Sequence, residues 1–188
     1  MSIPDPGDLT GHLLIAAPAL EDGIFDRTVL LVLDHDEDGA LGVVLNRVTA
    51  ATVRDEAAPW VELVADPPVI FDGGPVEPDA VVALGRTVAR VGADDGGMLD
   101  EHVRLVDLTA DPVLEQLELA SLRIFRGYAG WAPGQLESEI VAGAWFAAEA
   151  RPGDVFSDDP GSLWHRVLRR QPGTLALLST YPSDPTTN

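Results

Sequence analysis

The chain alternates between short apolar runs and polar turns, a pattern typical of buried strands joined by tight connections. Residues 13–17 and 28–33 are continuous apolar runs, and the second predicts a strand that is covered on both faces. The polar turn 34–39 and the apolar run 40–45 predict a hairpin with that strand. Further strands are predicted over residues 69–71, 80–84, 103–108, 123–129 and 175–178.

Apolar residues spaced three or four positions apart predict helices between these strands. A weak helical pattern covers residues 52–65, and Pro59 interrupts it, which predicts one short helix or two pieces. Aspartate–proline pairs precede two further patterns, and each pair supplies an N-cap and a first-turn proline. The three stronger helices are predicted over residues 111–122, 136–148 and 159–172.

No repeat, low-complexity segment or linker divides this pattern, so we expect a single domain over residues 9–182. Residues 1–8 and 183–188 are expected to be disordered tails, and residues 92–101 a flexible acidic loop. The longest apolar stretch spans eight residues, whereas a bilayer span needs about 20. The first residues carry no basic side chain and do not resemble a secretory signal, so we expect a cytoplasmic protein.

The composition excludes several kinds of chemistry. The chain has 31 acidic and 12 basic residues and a formal net charge of −19 at pH 7. This charge repels phosphate backbones and anionic lipids, so we expect neither nucleic acid nor a membrane as a partner. All the basic residues are arginines, which excludes lysine Schiff bases and the lysine-containing phosphate loop. The absence of cysteine excludes disulfides, thiol catalysis and thiolate zinc sites, and we expect no cofactor.

A short acidic motif resembles half of a metal site. Asp34, Asp36 and Asp38, followed by Gly39, match the first half of a calcium loop. The twelfth position should be a bidentate glutamate but is Leu45, and the flanking segments are predicted strands rather than helices. We therefore predict a solvated hairpin turn and no metal site. The histidines are too scattered to favour metal ligation, at positions His12, His35, His102 and His165.

Three other features allow both a functional and a structural interpretation. Gly73-Gly74-Pro75 follows a predicted strand and predicts an anion-binding nest or, because proline lacks an amide hydrogen, more simply a tight turn. Glu137 and Glu139 lie in the first turn of a predicted helix, which stabilises carboxylates without any catalytic role. The one local basic cluster, on which a nucleic-acid interface would depend, consists of Arg166, Arg169 and Arg170.

Glycine, aromatic and amide side chains cluster in residues 127–137, Gly-Tyr-Ala-Gly-Trp-Ala-Pro-Gly-Gln-Leu-Glu. This segment closely resembles the signature of the YqgE/AlgH family. Companion motifs occur in the same order as in the family, at residues 11–16, 25–29, 39–47 and 71–76. With Trp145 and Trp164, the resemblance extends from about residue 11 to residue 168. Two positions depart from the family pattern: Gly85-Arg86 follows Leu84 where many relatives have histidine, and Arg126 stands where leucine is common.

The resemblance implies one α/β (α+β) domain with a strongly bent, partly barrel-like mixed sheet flanked by helices. It implies no established reaction, and an occasional family label of transcriptional regulator does not establish contact with DNA. The signature lacks an acid, base and nucleophile set, so we predict a noncatalytic module that binds a small ligand or a protein partner. Four motifs put polar or glycine residues at strand ends, where crevices form, which predicts one ligand-binding cleft. Its residues are Arg27, Asn46, Arg47, Gly73, Gly74, Tyr128, Trp131, Gln135 and Glu137.

Two other functions stay open, beside a purely architectural role for the motifs. An enzyme of unknown reaction would use a cleft of Asn46, Arg47, Gln135 and Glu137, in which Arg47 binds an anionic substrate and Glu137 acts as base. A transcriptional regulator would need the basic cluster on an exposed face, and the net charge of −19 disfavours it. An architectural role would instead have Trp131 cap the core and Arg47 pair with Glu137.

Overall fold

The first three strands form as the apolar pattern predicts. The computed structural model describes residues 8–18, 23–88, 99 and 102–180. Strand β1 is His12–Ala16, β2 is Val29–Asp36 and β3 is Gly39–Val44. They form two antiparallel hydrogen-bonded pairs, β1 with β2 and β2 with β3. The predicted hairpin is therefore confirmed.

The remaining strands extend this unit into a nine-stranded sheet. They are β4 (Val48–Thr52), β5 (Val69–Asp72), β6 (Val76–Thr87), β7 (Val103–Leu105), β8 (Leu119–Trp131) and β9 (Trp145–Glu149). The main path runs β4-β5-β8-β3-β2-β1-β9, and β6 joins β7 to β8 beside that path. The pairing of β5 with β8 is parallel and the other pairings between these strands are antiparallel. Within the described residues the two ends, β4 and β9, do not pair, so the expected mixed sheet is confirmed but is not a closed barrel.

Short helices connect the strands. They are α1 (Val53–Glu56), α2 (Pro112–Glu115), α3 (Gln135–Val141), α4 (Pro152–Val155), α5 (Leu163–Arg169) and α6 (Leu175–Leu178). Two 3-10 helices cover Ala58–Leu63 and Pro160–Ser162. The interruption at Pro59 thus gives two helical pieces, as predicted, and the helix predicted from residue 159 forms as a 3-10 turn followed by α5.

Two predicted helices are too long, and one predicted strand is wrong in type. The helix predicted over 111–122 ends at residue 115, and the chain then enters β8; Leu117, predicted on its apolar face, is 75% exposed. The helix predicted over 136–148 ends at residue 141, and residues 145–149 pair with β1 as β9. The strand predicted over 175–178 is helix α6. Strand β4 was not predicted at all.

Pairing with distant strands explains these errors, because an apolar run of five or six residues fits the period of a helix as well as that of a strand. Leu122 and Ile124 pack in one cluster while Phe125 packs in another, which is the two-residue period of a strand covered on both faces. The capping of α2 was correct, since the Asp111 carboxylate accepts the amide hydrogen of Val113. Only the position of its end was wrong.

The core lies on both faces of the sheet. Strand β2 sends Val29 and Leu31 into a large cluster and Leu30 and Val32 into a second one. The large cluster is covered by α5, through Trp164 among others, and the second contains residues of α3 and β9. A third cluster packs under the 3-10 helix Ala58–Leu63. The expectation that β2 is covered on both faces is confirmed.

The predicted tails and acidic loop fall mostly outside the described residues. This applies to residues 1–7, 183–188 and most of 92–101. Asp8 is described: its carboxylate accepts the amide hydrogen of Thr10 at 2.9 Å, and hydrogen bonds from Thr10 lower the pKa of Asp8. The next residue, Leu9, is buried.

Candidate functional site

The nine residues predicted to line one cleft occur in three groups of three. Arg27, Asn46 and Arg47 lie around a cavity at the end of β3. The second group is Gly73, Gly74 and Tyr128, and the third is Trp131, Gln135 and Glu137. Asn46 and Arg47 of the first group follow the end of β3 at Val44, whereas Ala40 near its start pairs with Trp131 of the third group. About 13 Å of strand therefore separates these two groups.

The first group lines a cavity of about 300 Å³. The loop before β2, the turn after β3 and the start of α5 all contribute to its wall. The lining residues are Asp26, Arg27, Thr28, Asn46, Arg47, Gly161, Trp164 and His165. Five lining residues were not predicted, although the motif at 25–29 contained two of them: Asp26, Thr28, Gly161, Trp164 and His165.

Asn46 fixes the shape of this cavity. Its Oδ1 accepts the amide hydrogen of Val29 and its Nδ2 donates to the carbonyl of Arg27, both at 2.9 Å. Asn46 therefore bonds the backbone on both sides of Thr28 and joins the turn after β3 to the loop before β2. Both polar atoms of the amide bond backbone, so one role of Asn46 is to position the loop.

Arg27 is held in an unusual conformation on this loop. Its φ of 52° lies in the left-handed region, which a residue with a Cβ enters at a cost. Its guanidinium carbon lies 5.7 Å from the centre of the Trp164 ring. Trp164 is itself anchored, because its indole Nε1 donates to the carbonyl of Ala16 at 2.8 Å. The loop before β2 is thereby fastened to both α5 and the turn after β3.

Two further groups give the cavity its chemical character. Among the described residues, no side chain bonds or pairs with the Arg47 guanidinium, which is half-buried. The Nδ1 of His165 lies 2.9 Å from the carbonyl oxygen of Ser179 and must carry the hydrogen, because a carbonyl only accepts. The other ring nitrogen, Nε2, is then an acceptor when the imidazole is neutral. The cavity combines a free cation with acceptors on Asp26 and His165.

The second group is a site of close backbone packing. A Cβ on Gly73 would lie 2.3 Å from the carbonyl oxygen of Gly127, and one on Gly74 would lie 2.4 Å from the carbonyl of Tyr128. The amide of Gly73 donates to Arg126 and that of Gly74 to the Asp72 carboxylate. These amides are engaged within the protein, which accords with the tight turn and leaves no anion-binding nest.

Tyr128 has a distinct electrostatic environment within this group. Desolvation, followed by the charge and hydrogen bond of Glu77, raises the pKa of Tyr128 above its ordinary value of 10.0. Glu77 has a φ of 43° and lies at the start of β6. The phenol is therefore neutral near pH 7.

The third group contains a carboxylate that accepts three hydrogen bonds. Glu139 Oε2 accepts the indole hydrogens of Trp131 at 2.9 Å and Trp145 at 2.8 Å, and Oε1 accepts from Gln135 Nε2 at 2.9 Å. Glu137 instead lies 3.3 Å from Nε2 of buried His35, whose Nδ1 accepts the amide hydrogen of Leu9. Neither Gln135 nor Glu137 lines the Arg47 cavity, so the four-residue enzyme cleft does not form as that alternative required.

The other candidates are located as follows. Arg170 pairs with buried Asp154 at 2.6 Å, and Arg166 donates to the hydroxyl of Ser157 at 2.7 Å, whereas Arg169 is exposed. The basic cluster is thus largely turned into the protein. Asp34 and Asp36 are exposed on the hairpin, and no group of three or more metal-ligating side chains occurs within the described residues.

The comparison with known families covers almost the whole described chain. The profile of the AlgH-like family matches residues 13–176, which include the cavity and all three groups. The chain belongs to the AlgH-like family. The resemblance inferred from the signature is therefore confirmed.

AlgH-like relatives are similar over nearly their full length. A UPF0301 protein of Streptomyces avermitilis is 54% identical, with 96% of this chain and 95% of the relative covered. A UPF0301 protein of Mycobacterium tuberculosis is 42% identical, covering 93% of this chain and 88% of the relative. The names of these relatives state no activity, so the family assignment by itself identifies no ligand.

Solved AlgH-like structures share the fold. A crystal structure of a protein from Corynebacterium diphtheriae has a TM-score of 0.88 and 36% identity, covering 96% of this chain and 95% of that one. The solution structure of the AlgH protein of Pseudomonas aeruginosa has a TM-score of 0.67 and 28% identity, covering 98% and 100%. The single-domain mixed α/β fold is thereby shown.

This AlgH-like chain has a second, larger cavity of about 530 Å³ under the 3-10 helix Ala58–Leu63. Its wall includes buried Trp60, Ile70 and Ile124, and the ion pair of Arg126 with Glu56 also lines it. Arg126 is the family departure noted in the sequence, and the structure pairs its charge. No helix among the described residues is long and apolar enough to span a bilayer.

Proposed function

We propose that this AlgH-like chain is a noncatalytic module that binds a small anionic ligand in the Arg47 cavity. The observation that carries the proposal is the Arg47 guanidinium, which lines the cavity and has no hydrogen-bond or ion-pair partner among the described residues. A charged group that lines a concave site without a protein partner is available to a ligand. The chain has 31 acidic residues, so carboxylates that could pair with an arginine are plentiful in it. The lack of such a partner at Arg47 is therefore not explained by the composition.

The other lining groups define the ligand more closely. Arginine binds carboxylate and phosphate groups through paired N–H donors. Asp26 adds carboxylate acceptors to the same wall, so the ligand carries hydrogen-bond donors as well as its anionic group. A cavity of about 300 Å³ suits a small polar molecule rather than a nucleotide-sized one. A glycerol phosphate has this combination and serves as the probe.

The absence of a catalytic role rests on the same residues. Asn46 bonds backbone through both of its polar atoms, and Glu137, the base of the enzyme alternative, contacts His35 outside the cavity. The cavity wall therefore lacks the nucleophile with an adjacent base that covalent catalysis requires. We further propose that the module acts in the cytoplasm and that neither nucleic acid nor a membrane is its partner, in line with the net charge of −19.

The proposal is tested by thermal melting with three probes at matched ionic strength: glycerol phosphate, inorganic phosphate and glycerol. We expect the two phosphates to raise the melting temperature and glycerol to leave it unchanged. At about ten times the dissociation constant, the rise should be about 3–6 °C. Arg47→Gln should remove the rise.

Arg54→Gln is the matched control, because Arg54 is an exposed arginine outside the cavity and the substitution changes the net charge equally. It should retain the full response to phosphate. Equal responses of Arg47→Gln and the wild-type protein would contradict the proposal, as would an equal response to glycerol and glycerol phosphate.

A further inference from the structure

Arg123 is an arginine buried in the core, and no carboxylate among the described residues forms an ion pair with it. It is 1% exposed, and its terminal nitrogens donate to three backbone carbonyls, those of Val155, Ser157 and Asp66, at 3.1, 3.0 and 2.6 Å. Its guanidinium carbon lies 4.3 Å from the centre of the Phe71 ring. These neutral partners orient the cation but do not neutralise it, and buried charges are normally paired.

A second arginine lies on the same face of the sheet. Arg86 on β6 is directly opposite Ser121 on β8, and Ser121 is two residues from Arg123. The three side chains therefore share one face. Burial, followed by the charge of Arg86, lowers the pKa of Arg123 to about 10. Among the described residues neither arginine forms an ion pair, although Asp158 and Asp66 attract Arg123 from a longer distance.

Buried polar atoms without hydrogen-bond partners are concentrated on this strand pair. Four buried side-chain polar atoms lack a hydrogen-bond partner within the described part of the chain: Arg86 Nε, Thr87 Oγ1, Ser121 Oγ and Arg123 Nε. Thr87 is on the neighbouring position of β6 and points to the opposite face. The remaining three are all able to donate, and two belong to cations. Orphaned buried polar atoms are rare in proteins and call for an explanation.

We propose that Arg86, Arg123 and Ser121 bind a small inorganic anion of about halide size. Such an ion accepts all three orphaned hydrogens and neutralises part of the charge that the two arginines bring into the core. The donor atoms are buried, which restricts the ligand to a small ion. The site shares no residue with the Arg47 cavity and does not depend on the proposed function.

The test compares melting in sodium bromide and in sodium methanesulfonate at equal ionic strength, so that general screening of the acidic chain cancels. We expect bromide to raise the melting temperature of the wild-type protein by about 3–6 °C at ten times its dissociation constant. The increment should disappear in Arg86→Gln and shrink in Ser121→Ala.

Ser121→Ala keeps both charges and removes only an unpartnered hydroxyl, so it should fold as stably as the wild-type protein in methanesulfonate. Arg54→Gln and Arg47→Gln should retain the bromide increment, which separates this site from general charge effects and from the Arg47 cavity. An anomalous bromide peak within hydrogen-bond distance of Arg86 and Arg123 in a crystal would support the site. Equal melting in both salts, or a full increment in both Arg86→Gln and Ser121→Ala, would overturn it.

Discussion

Asn46 holds the backbone of Arg27 by a hydrogen bond of 2.9 Å from its side-chain nitrogen to the Arg27 carbonyl. The same side chain accepts the Val29 amide hydrogen, so one amide fixes both ends of a three-residue segment. Because Arg27 has a φ of 52°, this segment has a backbone conformation that a residue with a Cβ seldom adopts without stabilising contacts. The Asn46 side chain thus positions Arg27 at the cavity. The sequence had predicted Asn46 only as a residue that contacts the ligand.

Two substitutions of Asn46 should distinguish the contributions of its two hydrogen bonds. Asn46→Asp keeps an acceptor for Val29 but turns a carboxylate oxygen toward the Arg27 carbonyl, whereas Asn46→Ala removes both contacts. Each should lower the free energy of unfolding by about 1–3 kcal/mol. Hydrogen exchange should show the Val29 amide still protected in Asn46→Asp and exposed to exchange in Asn46→Ala. Equal protection in the two variants would contradict this assignment.

The glycines of the second group should be required for packing. Gly73→Ala places a Cβ 2.3 Å from a backbone carbonyl that has little freedom to move, and we expect a loss of about 3 kcal/mol or more in unfolding free energy. Gly153→Ala is the control, since Gly153 lies in α4 with no atom within 4 Å of the new Cβ. It should gain about 0.4–1 kcal/mol. Chemical denaturation of both variants measures the difference, and a mild effect of Gly73→Ala would refute the close approach.

Glu139, rather than Glu137, should be the energetically important carboxylate of α3. Glu139→Gln replaces one acceptor oxygen by an NH2 group, which then faces a donor that had bonded the carboxylate. We expect this substitution to lower the free energy of unfolding by about 1–3 kcal/mol. The matched Glu137→Gln loses only the contact of a part-exposed carboxylate with His35 and should cost less than about 1 kcal/mol. Denaturation followed by tryptophan fluorescence reports directly on the two indoles. A larger cost for Glu137→Gln would reverse the assignment.

Tyr128 should titrate above its ordinary pKa of 10.0, because burial and the Glu77 carboxylate both disfavour the phenolate. A raised pKa in the folded state means that the native protein holds the proton longer, so its contribution to stability is present below pH 10 and is lost as pH rises through the folded pKa. Tyrosinate absorbance, with Tyr128→Phe used to subtract the other tyrosine, measures the titration. Glu77→Gln should lower the pKa of Tyr128, and an unchanged titration would exclude Glu77 as a cause.

The sequence predicted an element correctly where residues close together in the chain determine its structure. The β2–β3 hairpin and the break at Pro59 both depend on neighbouring residues. Residues 119–122 and 145–148 were assigned to helices because their apolar spacing fits the helical period as well as the strand period. Only pairing with β6 and with β1 makes them strands. Such pairing joins residues far apart in the chain, which a local pattern does not contain.

The predicted site residues came from the family motifs, which include Arg27, Asn46 and Arg47; these three line one cavity at the end of β3. The motifs did not distinguish these from Gly73 and Gly74, which serve backbone packing, or from Trp131, whose indole bonds Glu139. Arg123 was missed, and its signal was an arginine in the middle of the apolar strand pattern 122–125.

The most direct test of the central claim is calorimetric titration of the wild-type protein and Arg47→Gln with glycerol phosphate. The buffer contains bromide, so that the anion site proposed at Arg86 and Arg123 is already occupied in both proteins. The account predicts saturable binding at one site per chain in the wild-type protein and at least a tenfold weaker affinity in Arg47→Gln, as expected for a lost charge-assisted pair. No binding by the wild-type protein, or the same affinity in both proteins, would contradict the assignment of the Arg47 cavity as an anion-binding site.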